Sequence, residues 1–416
     1  MSARRVPALF VDAVAGDRLR KQLTTVVAPV DACVAVNDRS TALARINADR
    51  PLAAASTQKL LVAAAALSVL HPTHHFTTRV VSKGSVDGGT LTGDLVVVGG
   101  GDPVLTTATE PGPDTTPLSG LADAIVQAGI TRIDGELVAD DSRYDRERAI
   151  PDWTAGEIAD GDSGALGALV VDGGYTDGEP ANDPALDTVQ QLADLLAARD
   201  VEISDGVRHT EDDAATGAKE ITHLDSPPLS AIVEEMLRDS NNETAELLTR
   251  ELGFERSGLG TTAAGTQAVR IALAHLGVPT TGVDLHDGSG LAPTDRVTCA
   301  ALLRVVELSA RPALTAIDHG LPIAGRTGTL ALRFGGTSLV DRLRAKTGHI
   351  DGVVGLAGVI DSAPGAQAEP RFAFVANGPF STDAGEQLQD EISAAIGAYP
   401  DAPTPAELVP APQSSG

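Results

Sequence analysis

Two residues near the start of the chain, Ser56 and Lys59, have the types and spacing of a nucleophile and its base. They are three residues apart at the head of an apolar run, Leu60–Leu70, which predicts a buried helix. Residues three apart share one face of a helix, so the hydroxyl and the amine come within reach of each other. Burial and the positive helix N-terminus both favour a neutral amine, and a neutral amine beside a serine is a general base. The alternative is a capping serine followed by a lysine that extends to solvent.

Two later segments carry further polar groups that suit a catalytic cleft. Ser240 and Asn242 lie between two predicted helices, and Lys346-Thr347-Gly348 ends a strand-like run. The glycine would let another backbone approach closely. Each segment also has an ordinary interpretation, as a helix cap and as an edge-strand turn.

Composition restricts the classes of function. The 416 residues include 31 Lys and Arg against 57 Asp and Glu, a formal charge of −26. No basic patch stands out, which argues against a nucleic-acid or anionic-membrane partner. The five lysines are Lys21, Lys59, Lys83, Lys219 and Lys346, so two of them fall within the motifs above.

The cysteines, the histidines and the apolar runs give no indication of a metal site or of a membrane span. Cys33 and Cys299 have no metal-type spacing, and buried free thiols are the expectation, with a disulfide as the alternative. His71, His74 and His75 lack the acid or thiol that would complete a zinc site, so no metal or cofactor is predicted. No apolar run reaches the length of a membrane span, and residues 1–19 do not form a convincing signal peptide.

The order of predicted elements suggests one α/β unit divided in two. A hairpin at residues 31–45 and the Ser56 helix form the first part, residues 1–74. Residues 75–222 are rich in short strands and predict an inserted β-rich domain. Helices and strands over residues 223–400 form the second part, and the Pro-, Ala- and Ser-rich tail, 401–416, is predicted to be disordered.

The motif set is far more specific than any single motif. Ser-x-x-Lys, Ser-x-Asn and Lys-Thr-Gly occur in this order in serine β-lactamases and penicillin-binding proteins. The chain resembles the low-molecular-mass class C penicillin-binding proteins, the D-alanyl-D-alanine carboxypeptidase/endopeptidases of peptidase family S13. The resemblance extends through Gly99-Gly100-Gly101-Asp102-Pro103, Asp287-Gly288-Ser289-Gly290-Leu291 and Gly328-Thr329-Leu330.

This resemblance implies a fold and a reaction. The expected fold is α/β (α+β): an antiparallel sheet flanked by helices, a helical subdomain and the inserted domain. Ser56 would attack the D-Ala-D-Ala bond of a peptidoglycan stem peptide, or a D-Ala-diaminopimelate cross-link, with Lys59 as the base. Ser240 and Lys346 would pass a proton to the leaving group. β-Lactams would bind covalently, and the substrate implies an extracytoplasmic location.

The resemblance also implies which residues bind substrate. These are Asn242, Thr347, Gly348 and His349, with Asp141 and Tyr144 as candidates for the stem-peptide side chain; a solvated acidic turn is the alternative for that pair. The family usually has Thr or Ser where this chain has His349. Loss of that hydroxyl predicts weaker carboxylate binding, by about 1–2 kcal/mol, unless the imidazole itself holds the anion. The stretch between Ser56 and Ser240 is also short for the family.

Two other functions fit the same motifs. A serine β-lactamase shares all three, although the large inserted segment favours the peptidase. A non-catalytic peptidoglycan-binding relative is the third reading, and the altered third motif is its support.

Overall fold

The computed structural model describes residues 6–159, 161–210, 212–361 and 368–401. Its α-helices are α1 Val6–Val27, α2 Lys59–Val69, α3 Leu118–Gln127, α4 Ala155–Ala159, α5 Pro184–Ala197, α6 Leu229–Asp239, α7 Asn242–Ser257, α8 Thr262–Leu276, α9 Cys299–Leu308, α10 Thr315–His319 and α11 Thr382–Gly397. Short 3-10 helices cover Ala55–Gln58, Asp172–Gly174, Pro312–Leu314 and Gly328–Leu330.

The strands are β1 Asp31–Asp38, β2 Thr41–Ile46, β3 Thr77–Ser82, β4 Val86–Asp87, β5 Thr90–Thr92, β6 Leu95–Val98, β7 Leu105–Thr106, β8 Thr116–Pro117, β9 Arg132–Asp134, β10 Leu137–Asp140, β11 Tyr175–Thr176, β12 Glu179–Pro180, β13 Glu202–Ile203, β14 Val207–Thr210, β15 Lys219–Asp225, β16 Leu343–Ile350, β17 Val353–Ile360 and β18 Pro370–Asn377.

The main sheet joins the two ends of the chain. Its order is β16-β17-β18-β1-β2, and every neighbouring pair is antiparallel. Strand β1 pairs with β18, so that Asp31 lies opposite Asn377. The predicted hairpin at residues 31–45 is the β1–β2 pair. This pairing brings the N-terminal Ser56 turn into the same layer as the C-terminal strand β16.

Both faces of the main sheet are covered. Successive residues of β1 alternate between two cores, as the two-residue period of a strand requires. Val34 and Val36 pack in the core shared with α1 and α11, whereas Cys33 and Ala35 pack in the core shared with α2 and α9. Strand β17 is buried along its whole length because neither of its faces meets solvent.

Helix α2 is the centre of the helical layer. Its residues from Lys59 to Leu67 are all buried, as the apolar run predicts. The helix packs against α6, α7, α8 and α9. Lys59 lies in the first turn of α2, so the helices packed around α2 also enclose its amine and remove it from water.

A second sheet is formed by residues between the two halves of the main sheet. Its order is β14-β10-β6-β3-β15, and it has its own apolar core with α3 and α5. We therefore propose that residues 75–222 form an inserted domain, which this separate sheet and core support. Strand β15 continues to Asp225, slightly beyond the proposed end.

The expectation of free thiols is wrong. Cys33 on β1 and Cys299 at the start of α9 form a disulfide, with their Cα atoms 5.9 Å apart although the two positions are separated by 266 in the sequence. The strand and the helix pack directly on each other, which brings two distant positions together. Both cysteines are fully buried.

Two remaining expectations concern a membrane-spanning helix and the C-terminal tail. In the described residues, no helix combines the length and the apolar character needed to cross a bilayer. The predicted disordered tail lies, from residue 402 onward, outside the described residues.

Replacing both Cys33 and Cys299 with Ala should destabilise the fold by about 2–4 kcal/mol, because the cross-link constrains the unfolded chain. Chemical denaturation of the oxidised protein and of the double variant measures the difference. An unchanged denaturation midpoint would show that the bond contributes nothing to stability.

Candidate active site

Ser56 and Lys59 are brought together by a tight turn at the start of α2. Residues Ala55–Gln58 form a 3-10 helix, in which side chains three apart lie one above the other. Lys59 Nζ is 2.8 Å from Ser56 Oγ. Ala55 has φ of +46°, a conformation that non-glycine residues seldom adopt, and it presents the partly exposed Ser56 at the surface of the cleft.

The amine of Lys59 has two other neighbours. Nζ donates to Asn242 Oδ1 at 2.5 Å and to the Ser289 carbonyl at 2.9 Å. Burial lowers the pKa of Lys59 to about 8, although the charges of Asp287 and Glu246 act in the opposite direction. A neutral amine has two hydrogens and one lone pair. With both hydrogens used by Asn242 and Ser289, the lone pair is left for the Ser56 hydroxyl.

The second and third motifs meet at a second buried lysine. Ser240 ends α6 in the left-handed conformation, with φ of 63°. Lys346 Nζ on β16 donates to Ser240 Oγ at 2.8 Å and to the Thr347 carbonyl at 3.0 Å. Burial, and the charge that Lys59 carries when it is protonated, lower the pKa of Lys346 well below its usual value.

Gly348 explains how β16 lies so close to the Ser56 turn. A Cβ at this position would be 2.7 Å from the Ala54 carbonyl oxygen and 3.0 Å from the Thr57 nitrogen. Any larger residue would push the strand away from the turn. The glycine therefore sets the distance between the first and third motifs, as its place after a strand suggests.

Three buried acidic side chains, Glu246, Asp287 and Asp295, lie behind Lys59, and their role was not predicted from the sequence. Glu246 accepts the backbone N–H groups of Gly288 and Ser289, at 3.0 and 2.7 Å. Asp287 accepts from the Gly290 nitrogen at 2.7 Å and from the Trp153 indole at 2.9 Å. These contacts fix the 288–291 loop, whose Ser289 carbonyl faces Lys59.

The third carboxylate is Asp295. The Gln58 amide nitrogen donates to both Asp287 Oδ1 and Asp295 Oδ2, each at 3.0 Å. Burial and the charge of Asp287 raise the pKa of Asp295, so this group is held as the neutral acid. The turn that carries Ser56 is thereby tied to the acid cluster through Gln58.

One of these groups had a signal in the sequence. Glu246 follows Asn242 by four residues, and this spacing puts both side chains on one face of α7. The Asp287-Gly288-Ser289-Gly290 segment lies beside the cleft, where the Ser289 carbonyl accepts from Lys59 Nζ. Its link to Glu246 joins residues about forty positions apart and has no local signal.

The third motif continues along the edge of the cleft. Thr347 and His349 alternate with buried neighbours on β16, and both are accessible to solvent. Thr347 Oγ1 is 2.8 Å from Thr329 Oγ1. His349 Nε2 is 3.1 Å from Thr382 Oγ1, at the start of α11.

Asp141 and Tyr144 are not brought to this cluster. Asp141 is buried and pairs with Arg148 and His209, each at 2.9 Å. The hydroxyl of Tyr144 donates to Glu251 at 2.8 Å. Internal partners thus occupy their polar atoms, so contact with a stem peptide stays a prediction for both.

The inserted segment reaches the site by a different loop, residues 161–164. Asn242 Nδ2 donates to the Asp162 carbonyl at 2.6 Å, and Glu243 accepts the Gly164 nitrogen at 2.7 Å. A cavity of about 470 Å³ adjoins this loop, lined by Thr154, Gly156, Glu157, Asp162, Pro293, His349, Ile350 and Asp351. In the described residues, no group of three or more His, Cys, Asp or Glu side chains is placed to hold a metal ion.

A family model described as D-Ala-D-Ala carboxypeptidase 3 (S13) matches residues 19–182 and 178–398. The chain belongs to this family. The predicted family resemblance is thereby confirmed, and the chain is a serine-type carboxypeptidase by class.

Individual relatives agree with the family match. The chain is 31% identical over 363 residues to carboxypeptidase Rv3627c of Mycobacterium tuberculosis, covering 83% of this chain and 76% of that one. It is 30% identical over 444 residues to the D-alanyl-D-alanine carboxypeptidase of Actinomadura sp. strain R39, covering 87% and 80%.

A solved structure supports the fold. The chain resembles penicillin binding protein 4 (dacB) of Haemophilus influenzae with a TM-score of 0.78 and 22% identity, covering 91% of this chain and 99% of that one. The predicted fold class, a β-lactamase/D,D-peptidase-like domain of sheet and helices, is confirmed.

His209 should make the stability of the inserted segment depend on pH. Burial lowers its pKa, but hydrogen bonds to Asp141 and Asp183 outweigh this and raise it above 6.5. A raised folded-state pKa stabilises the fold fully below the unfolded value, and that stabilisation is lost as pH rises through the folded value.

We therefore expect His209→Gln to lower the melting temperature more at about pH 6 than at about pH 9. The measurement is thermal unfolding of both proteins at the two pH values. A difference that is equal at both, or larger at the alkaline one, would contradict the role of the charged imidazole.

Proposed function

We propose that the chain hydrolyses D-Ala-D-Ala bonds of peptidoglycan stem peptides through an acyl-enzyme on Ser56. One observation carries this assignment: the buried Lys59 amine lies 2.8 Å from Ser56 Oγ and has acceptors for its other hydrogens. This arrangement suits removal of the serine proton as the oxygen attacks a carbonyl.

Acylation then proceeds through a tetrahedral intermediate. Ser56 Oγ bonds to the carbonyl carbon of the penultimate D-alanine, and its proton passes to Lys59 Nζ. The backbone N–H groups of Ser56 and His349 would hold the oxyanion. Because these donors belong to the backbone, the histidine side chain in the third motif does not remove them.

The leaving D-alanine needs a proton when its C–N bond breaks. Ser240 and Lys346, in contact at 2.8 Å, form a route from the cleft to that nitrogen. Water then attacks the acyl-enzyme carbonyl, and the acyl group leaves Ser56 as a free carboxylate. The proton that Lys59 took up in acylation would pass through Ser240 and Lys346 to the leaving nitrogen, so that Lys59 is neutral again. It would then accept a proton from the attacking water and donate it to Ser56 Oγ as the bond between that oxygen and the acyl carbon breaks.

Substrate would be oriented by the edge of β16 and by α7. Thr347 would engage the terminal carboxylate, and Asn242 would bind the peptide through Nδ2, which in this structure donates to the Asp162 carbonyl. Gly348 lets β16 lie directly against the Ser56 turn, so the edge of β16 that would bind substrate is held beside Ser56. The cavity bordered by Asp162 and His349 is the place where the rest of the stem peptide would lie.

The substrate class implies an extracytoplasmic location. The Cys33–Cys299 disulfide agrees with this proposal, because such bonds persist chiefly in oxidising compartments. β-Lactams, which offer an acylating carbonyl of similar shape, would bind as covalent inhibitors on Ser56. A solved penicillin binding protein 4 of this fold is described as complexed with a β-lactam.

Replacing Lys59 with Ala should abolish covalent labelling by penicillin, because the serine then lacks its base. Lys59→Met retains most of the side-chain volume and should lose labelling to the same extent. Intact-mass spectrometry after incubation with penicillin measures the adduct, and circular dichroism checks that each variant is folded.

Ser56→Ala is the matched control and should give no adduct. Labelling of Lys59→Met at the wild-type rate would refute the base assignment, and absence of an adduct on the wild type would refute the function. Rapid, repeated turnover of a chromogenic cephalosporin would instead indicate a β-lactamase.

The acylation rate should rise with pH and level off above about pH 8, since the reactive form of Lys59 is the neutral amine and its pKa is about 8. Stopped-flow measurement of penicillin acylation between about pH 6 and pH 10 gives the profile. A rate that falls as pH increases through this range would contradict a neutral lysine base.

A further inference from the structure

The turn Gly328–Leu330 adds a hydroxyl to the edge of the cleft that the mechanism above does not use. Thr329 Oγ1 lies 2.8 Å from Thr347 Oγ1, and Thr329 is exposed. Thr347 belongs to the third motif and follows the buried Lys346 directly. The two hydroxyls therefore form a pair beside the place proposed for the end of the substrate.

The position of Thr329 is fixed by the two elements that carry catalytic residues. On one side, the Ala324 nitrogen donates to the Leu343 carbonyl and the Ala345 nitrogen to the Pro322 carbonyl, at 2.9 and 3.0 Å. These bonds tie residues 322–324 to β16, which carries Lys346. The Gly325 nitrogen then donates to the Leu330 carbonyl at 2.9 Å, which joins the turn to that segment.

On the other side, the segment contacts the end of α6. Gly328 has φ of +56°, and a Cβ there would be 2.1 Å from the Arg238 carbonyl oxygen. Arg238 lies two residues before Ser240. Thr329 is thus held between the second and third motifs, in a turn that requires glycine at the preceding residue.

Each hydroxyl of the pair has one hydrogen to donate and can also accept. At a separation of 2.8 Å, one of the two hydroxyls donates to the other. A carboxylate has two oxygens and accepts hydrogen bonds, so it can take one from each hydroxyl, and bonds to a charged acceptor are the stronger kind.

The third motif of this chain makes such a partner useful. His349 stands where a second hydroxyl would follow Thr347 on the same face of β16, and its Nε2 is 3.1 Å from Thr382 Oγ1 on α11. Thr329 comes from a different segment and supplies a hydroxyl next to Thr347.

We propose that Thr329 and Thr347 together bind the C-terminal carboxylate of the D-Ala-D-Ala substrate, with Thr329 as a specificity-determining residue. The proposal rests on the proposed function. A purely structural role would require the Thr329 hydroxyl to support its turn. That role falls instead to Thr327, whose Oγ1 accepts from the Ile323 nitrogen at 3.0 Å.

The test compares two substrates that differ only at the end bound by this pair. One is an N-acylated peptide ending in D-Ala-D-Ala with a free carboxylate, and the other is its C-terminal amide. Release of the terminal residue gives kcat/KM for the wild type, Thr329→Val and Thr329→Ser.

Thr329→Val should lower kcat/KM for the free acid about tenfold, which matches the loss of one hydrogen bond to a charged group, and should change it less than twofold for the amide. Thr329→Ser retains the hydroxyl and should stay within about twofold of the wild type on both substrates.

Two results would overturn the assignment of Thr329 while leaving the proposed function standing. One is an active wild type whose rate on the free acid is unaffected by Thr329→Val. The other is an equal loss on acid and amide, which would show a structural effect. A wild type that neither releases D-alanine nor forms a penicillin adduct would overturn both proposals.

Discussion

The site depends on keeping one amine out of water. Lys59 is fully buried in the first turn of α2, where the loss of hydration favours the uncharged form. A buried amine without partners would be costly, and here Asn242 and the Ser289 carbonyl satisfy its hydrogens. The remaining direction is open to the Ser56 hydroxyl. The pKa of Lys59 is the result of two opposing effects: burial lowers it, and the charges of Asp287 and Glu246 raise it.

The acidic side chains buried behind α2 hold the loop that supplies the Ser289 carbonyl. Glu246 and Asp287 accept the backbone N–H groups of the loop that carries Ser289, so the loop cannot move without losing buried hydrogen bonds. Burial and the charge of Asp287 raise the pKa of Asp295, which favours its neutral form, and Gln58 joins the two side chains. The cluster therefore positions the acceptor of Lys59 and at the same time limits how far its pKa falls.

The elements that surround the amine come from distant parts of the chain. The β1–β18 pairing and the Cys33–Cys299 bond join the first part of the chain to its last. Gly348 then lets β16 lie against the Ser56 turn. The inserted segment contributes the 161–164 loop beside Asn242, whereas its Asp141 and Tyr144 serve internal contacts.

The features that depend on local spacing could be predicted from the order of the residues alone. The three-residue separation of Ser56 and Lys59, the apolar run of α2 and the hairpin at residues 31–45 all follow from helix and strand periodicity. The three motifs also predicted which side chains meet, since Lys346 does contact Ser240. Family resemblance, rather than periodicity, supplied the order and the roles of those motifs.

The contacts between distant segments could not be predicted in this way, because no local pattern connects those segments. The spacing of Cys33 and Cys299 does not reveal that β1 packs on α9, so their bond could not be predicted. The Glu246 and Asp287 contacts and the Thr329–Thr347 pair also depend on how helices and turns pack around β16. Local propensity carries no information about such packing, because it arises when the whole core closes.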